Sequence, residues 1–160
     1  MSASVLASVN LQDFDITLRS LQFGTFSFRN YGEAGVSCAI EPLDENLYNE
    51  KLGAFGDMMI SKNYKGRNKL LRVQLLRNSP DYARLQDVIA AEEAGQSIIF
   101  AVTARDSRTE ESYTSPAGVL KVIPKYEMGS DVDGDVEFTI LMSNVVHFPP
   151  KINIGLTSGV

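Results

Sequence analysis

One stretch, Lys69 to Asp106, limits what this chain can fold into more than any other, because its hydrophobic period changes twice. It reads KLLRVQLLRNSPDYARLQDVIAAEEAGQSIIFAVTARD. Leu71, Val73 and Leu75 share one face and Arg72 and Gln74 the other, the period of a half-buried strand. Asn78, Ser79 and Pro80 then break the pattern. Ser79 can accept a hydrogen bond from a free amide of a first helical turn, and Pro80 suits the first helical position, where its missing N–H needs no partner. Asp81 places a negative charge at the positive end of the helix dipole. Tyr82, Leu85, Val88 and Ile89 recur at spacings of three and four, so one stripe of the helix is apolar. Gly95 supplies a left-handed stop. Ile98, Phe100, Val102 and Ala104 then return to a period of two. The expectation is a strand, the chain's only long helix, and a second strand.

The remainder is strand and turn. Phe14, Ile16 and Leu18 alternate with polar residues, and LQFGTFSF (Leu21 to Phe28) reads as a turn at Gly24 and a second strand. A turn cluster at Asn30 to Gly35 precedes a third strand marked by Val36, Cys38 and Ile40, which Pro42 ends or confines to an edge. Asp57 to Ser61 gives a strand with Met58 and Ile60 inward. Tyr113 to Tyr126 reads as a strand interrupted at Pro116–Gly118 and ended near Pro124. Val136, Phe138, Ile140 and Met142 mark a final strand, and Pro149 and Pro150 close the domain. Seven to nine strands joined by short turns, with one amphipathic helix, predict a mainly β chain: a β-sandwich or half-open barrel of two antiparallel sheets with one flanking α-helix. The expected divisions are an N-terminal arm (1–12), a β domain (13–148) and a C-terminal tail (149–160).

At 160 residues and 44% hydrophobic content, one domain with a real core is expected. No apolar run approaches the ~20 residues that span a bilayer, and Met1 to Ser8 lacks the pattern of a signal peptide. Cys38 is the only cysteine, so no internal disulfide is possible; a small core residue is its expected role. A net charge of -5 argues against a protein that works by neutralising phosphates. Lys62, Lys65, Arg67, Lys69 and Arg72, with Tyr64 among them, form the one basic cluster, and it falls on a turn and an exposed strand face.

No residue set carries a reaction. Asp131, Asp133 and Asp135 resemble a calcium loop, but the required Gly and Glu positions hold Val136 and Met142. Asp133–Gly134 fits a type I′ hairpin turn instead. His147, the single histidine, has no second His or Cys to share a metal. No P-loop, nucleophile elbow or zinc signature is present. No catalytic residue, metal or cofactor is therefore expected. Asp44 to Gly56 (DENLYNEKLGAFG) has mixed charge, two glycines and no clean period, and is too long for a tight hairpin. Loops of this size are often functional, and an assembly contact is one common use.

Three stretches carry a family likeness: GAFGDMMISKN (Gly53 to Asn63), LRVQLLRNSPDYARLQDVI (Leu71 to Ile89) and PKYEMGSDVDGDVEFTIL (Pro124 to Leu141). In order and spacing the chain resembles, over roughly Phe14 to Phe148, the tail tube proteins of contractile-tailed bacteriophages. Their fold is similar to the haemolysin-coregulated protein of type VI secretion. The resemblance implies a structural virion protein, assembled in the host cytoplasm, whose hexameric rings stack into a tube. That tube is a conduit for DNA and a rod driven through the host envelope. Implied partners are further copies of itself, the tail sheath, baseplate and tail terminator proteins, and DNA in transit, with no stable membrane association. On this reading the Asp44 to Gly56 loop is the contact between rings, with Leu47, Tyr48, Leu52 and Phe55 as apolar anchors beside Asp44. The two terminal segments are further neighbour contacts, and the helix lies on the outer wall, towards the sheath. The alternatives are another ring-forming tail component (terminator, baseplate or secretion-ring protein) and a monomeric β-sandwich binding module.

Overall fold

The computed structural model describes residues 14–28, 38–77, 79–106, 109–126 and 135–151. The expected arm, the turn at Asn30 to Gly35, Val36, the Asp133–Gly134 turn and the tail beyond residue 151 lie outside them. Ten strands occur among the described residues: β1 Phe14–Ser20, β2 Gly24–Phe28, β3 Cys38–Pro42, β4 Tyr48–Leu52, β5 Met58–Lys62, β6 Lys69–Leu76, β7 Phe100–Asp106, β8 Ser112–Leu120, β9 Asp135–Ser143 and β10 Val146–Phe148. One α-helix, α1, spans Pro80–Glu93.

The class expected from the sequence holds: mainly β, two antiparallel sheets, one helix. The sheets are unequal. Eight strands form one sheet in the order β2-β1-β7-β8-β9-β6-β3, with β10 also on β8, while β4 and β5 pair only with each other. The large sheet is steeply staggered. Lys69, the first residue of β6, lies opposite Met142; Met142 lies opposite Gly118, and Gly118 opposite Phe100, the first residue of β7. Such stagger belongs to a sheet that curls towards a barrel. The curl brings the β3 edge round towards β1, β7 and β8, where Cys38 and Ile40 share a hollow with Ile16, Ala104 and Tyr113.

The inner face is the core that the alternation marks. Ile16 and Leu18, Leu71, Val73 and Leu75, Phe100 and Val102, and Phe138, Ile140 and Met142 are buried in one cluster with Phe26 and Phe28. Leu85, Val88 and Ile89 of α1 enter the same cluster, as their spacing requires, with Tyr82 half-buried beside it. Tyr82 meets Phe138 edge-on at 5.9 Å, and Arg84 lies over the Phe26 ring at 5.9 Å, so the helix closes the concave face. The close approach of β8 to its neighbours depends on Gly118. A Cβ there would stand 2.7 Å from Val102 Cγ2 and 3.3 Å from Ile140 Cγ2.

The helix ends as its sequence dictates. Ser79 Oγ accepts from the Tyr82 amide at 3.2 Å and donates to the Leu76 carbonyl at 2.7 Å. Gly95, at φ +98°, turns the chain out. Ser79→Ala removes both bonds, and we expect a loss of about 1 kcal/mol, read as a fall of ~2–4 °C in the thermal midpoint of a protein this size. An unchanged midpoint would show that the cap contributes nothing.

Three expectations are corrected. The strand read to Tyr126 ends at Leu120. Lys121 makes one further bond, to the Thr139 carbonyl at 2.9 Å, and the chain then leaves β9 to run beside α1; Pro124 has no N–H to continue a ladder. The run from Val136 is not the final strand. Asn144, at φ +48°, and the buried Val145 interrupt it, and β10 resumes on β8. Met58 and Ile60 do not point inward: they are 52% and 62% exposed.

Candidate assembly interface

The segment read as a loop from Asp44 to Gly56 is half strand. Tyr48–Leu52 pairs with Met58–Lys62 in the register Tyr48↔Lys62, Glu50↔Ile60 and Leu52↔Met58, with Asn49↔Ser61 and Lys51↔Met59 between. Residues directly opposite in an antiparallel pair share a face. One face of this ribbon therefore carries Tyr48, Leu52, Met58 and Ile60 with Glu50 and Lys62. The other carries Asn49, Lys51, Ser61 and Met59. Every residue of both strands is exposed, so the apolar face is covered by nothing in the described chain. An isolated two-stranded hairpin is marginal in water.

The ribbon is anchored at its root instead. Asn63, almost fully buried, donates through Nδ2 to the Asn46 carbonyl at 2.8 Å and accepts from the Lys65 amide at 3.1 Å. Its own amide bonds the Leu47 carbonyl at 2.9 Å, and the Leu43 amide bonds the Asn68 carbonyl at 3.0 Å. Gly66 stands so close to this root that a Cβ would lie 2.9 Å from the Asp44 carbonyl oxygen. At the tip Gly53 bonds the Asp57 carbonyl at 2.7 Å, and Gly56, at φ +87°, turns the chain.

The five residues singled out by sequence separate into two groups. Leu47, Tyr48, Leu52 and Phe55 are 73%, 58%, 71% and 97% exposed and lie along the ribbon from root to tip. Asp44 does not join them. Its Oδ1 accepts from the Asn46 amide at 3.0 Å, so it shapes the root and positions the ribbon. The Asn46 N–H and the Asn63 side-chain amide hold its carboxyl below the usual carboxylate value. A depressed folded-state pKa means the contribution is complete above the unfolded value and fades as pH falls through the folded one. We therefore expect the Asn46 amide resonance to shift in an acid titration with a midpoint below 3.8, and that transition to vanish in Asp44→Ala. A midpoint at or above the ordinary value would remove the positioning role. Met58 and Ile60, whose alternation predicts a core face, belong instead to the exposed face of Tyr48 and Leu52, and Met59 is exposed on the opposite one.

The basic cluster is dispersed. Arg72 lies on the outer sheet face between Glu41 at 3.4 Å and Glu137 at 3.1 Å, Arg67 covers the Tyr64 ring at 4.7 Å, and Lys69 Nζ donates to the Gly66 carbonyl at 3.0 Å. His147 has a partner that sequence did not reveal. Its Nε2 is 2.6 Å from Glu111 Oε1, and its ring stacks on Tyr113 at 4.4 Å, which ties β10 to the turn before β8. Burial pushes the Cys38 thiol up to about 12, although part of its surface stays open. Among the described residues no group of three or more His, Cys, Asp or Glu comes together to hold a metal ion, and no helix is long and apolar enough to cross a membrane.

No protein-family model matches this sequence, and no curated protein matches it. The fold has clear structural counterparts. A chain of the sheath–tube complex of the extracellular contractile injection system PVC, in its extended state, superposes with a TM-score of 0.56 at 11% identity, over 93% of this chain and 98% of that one. A chain of the PVC sheath/tube terminator gives 0.55 at 14% identity, over 88% and 96%. A chain of the anti-feeding prophage tube-terminating cap gives 0.53 at 12% identity, over 88% and 91%. The chain shares the fold found in these sheath–tube, terminator and cap structures.

Proposed function

We propose that this chain is a structural subunit of a contractile tail that forms hexameric rings, and that the rings stack into the tail tube. The observation that carries this reading is the β4–β5 ribbon. It is amphipathic, and among the described residues it is anchored at its root and nothing covers its apolar face. Such a face is used when another molecule covers it. The edges β2 and β3 of the large sheet support the same reading, because open edges are a liability that closure around a ring removes. The ribbon, with Leu47, Tyr48, Leu52 and Phe55, then makes the contact between rings. Sheath, baseplate and terminator are the further partners, and DNA passes through the bore when the tube is driven into the host envelope.

One observation favours a second reading. The terminator and cap chains superpose almost as well as the chain of the sheath–tube complex, so this fold also occurs in assemblies that end a tube. Negative-stain electron microscopy of the purified protein across a concentration series separates the two. Tubes of uniform bore are expected. Discrete rings that never stack would transfer the assignment to a terminator, and a monomer at every concentration would count against both.

A further inference from the structure

Among the described residues a second apolar surface stays open, away from the ribbon. Residues 120–126, leaving β9, run beside α1 and leave two adjoining hollows of about 220 and 230 Å³. Ile89 and Glu93 of the helix and Ile123 line both; Leu120 floors one end, and Tyr82 and Tyr126 flank the other. Val122, Ile123 and Tyr126 are more than half exposed. The groove thus joins a buried helix residue to an exposed apolar rim.

Its direction is fixed by two contacts. Lys121 bonds Thr139, which lies opposite Arg72 in mid-β6, whereas Tyr126 lies under Arg77, just past the last residue of β6, at 5.4 Å. The groove therefore opens at the Leu76 end of β6. The ribbon leaves from the Lys69 end, where Pro42 pairs with Lys69. Eight residues of strand, roughly 26 Å, separate the two ends. A projection at one end and a groove at the other make a head-to-tail contact, which repeats without limit where a self-complementary patch closes on itself.

We propose that the ribbon of one copy lies, tip first, in the groove between α1 and residues 120–126 of a second copy. This rests on the reading of the ribbon as a self-contact and names the surface that receives it. Dimensions agree: a five-residue ribbon is about 17 Å long and a fourteen-residue helix about 21 Å. With Leu52 and Met58 over Ile89 and Leu120, the ribbon register sets Ile60 against Ile123 and Tyr48 near Tyr126. Glu50, the one acid on the apolar face, falls beside Lys121 on the 120–126 wall, across the groove from Glu92 and Glu93 on the helix wall. The exposed large apolar side chains of the ribbon offer on the order of 600 Å², most of the ~800 Å² per partner of a specific interface.

The test is cysteine cross-linking of the full chain. Cys38, a free and partly exposed thiol, is replaced by Ser in every variant so that only the introduced thiols can pair. The double variant Ile60→Cys/Ile123→Cys, oxidised with copper phenanthroline, should give a ladder of covalent multimers; either single variant should give no ladder. Glu50→Lys should raise the concentration needed for assembly at least tenfold, and Lys121→Glu in the same chain should restore most of that loss. Assembled particles without a ladder, or a ladder stopping at dimers through Ile60→Cys alone, would overturn the groove as receptor and leave the ribbon as interface. Assembly indifferent to Glu50→Lys and to loss of the ribbon's apolar face would instead overturn the self-contact itself.

Discussion

Leu52→Asp should abolish ordered assembly and leave the folded monomer almost untouched. Leu52 is 71% exposed and touches no core residue, and surface substitutions of this kind change folding stability by about 0.5 kcal/mol or less. In the proposed assembly the same side chain is covered. Burying a leucine there contributes about 1.5–3 kcal/mol, and a carboxylate in its place must be desolvated without a partner. The loss per contact therefore exceeds ~2.7 kcal/mol, a rise of at least about 100-fold in the concentration at which assembly begins. Sedimentation velocity over a concentration series measures it, and the thermal midpoint of the same samples is the control. Assembly at the wild-type concentration would remove the ribbon from the interface.

Phe138→Ala should do the reverse. Phe138 is wholly buried on β9, edge-on to Tyr82 of α1, where sheet and helix meet. Deleting the ring costs about 3–5 kcal/mol of folding stability, because the surrounding core collapses only in part. In a domain of this size the midpoint should fall by roughly 10 °C. Below the new midpoint the ribbon is unchanged, so the variant should still assemble. Phe138→Leu, which fills most of the space, should recover much of the loss. A midpoint shift under ~2 °C would mean that the core does not depend on this contact.

The contrast between these residues explains what sequence could show. Alternation and helical spacing report burial within one chain. Leu71, Val73, Leu75, Leu85, Val88 and Ile89 face one core, so β6, α1 and β7 were legible together with the Ser79 cap and the Gly95 stop. Among the described residues the ribbon buries nothing of its own chain. Glu50 interrupts the apolar run of β4, and the period that should announce a strand is absent where no core selects for it. On β5 the period is present, and the inference from period to core failed because the apolar face there looks outward. The strand read through Lys121 to Tyr126 failed for a related reason: the residues alternate, but no neighbouring strand meets them beyond Thr139. The His147–Glu111 pair joins residues 36 apart through strand pairing, and no local pattern encodes it. Loop length and family likeness point to Leu47, Tyr48, Leu52 and Phe55 along the ribbon and to Asp44 at its root, where its carboxylate accepts from the Asn46 amide.

The root of the ribbon has a consequence for how such a chain can diverge. The described bonds that hold it to the rest of the molecule run through Leu43, Asn46, Asn63, Lys65 and Asn68, and beyond that collar the side chains of both strands leave the core untouched. Changes outside the collar then escape the purge that stability imposes on the interior. Folding and the exposed surface of the ribbon are inherited on separate residues. A lineage can rewrite that surface, one exposed side chain at a time, while the same curled sheet is passed on intact.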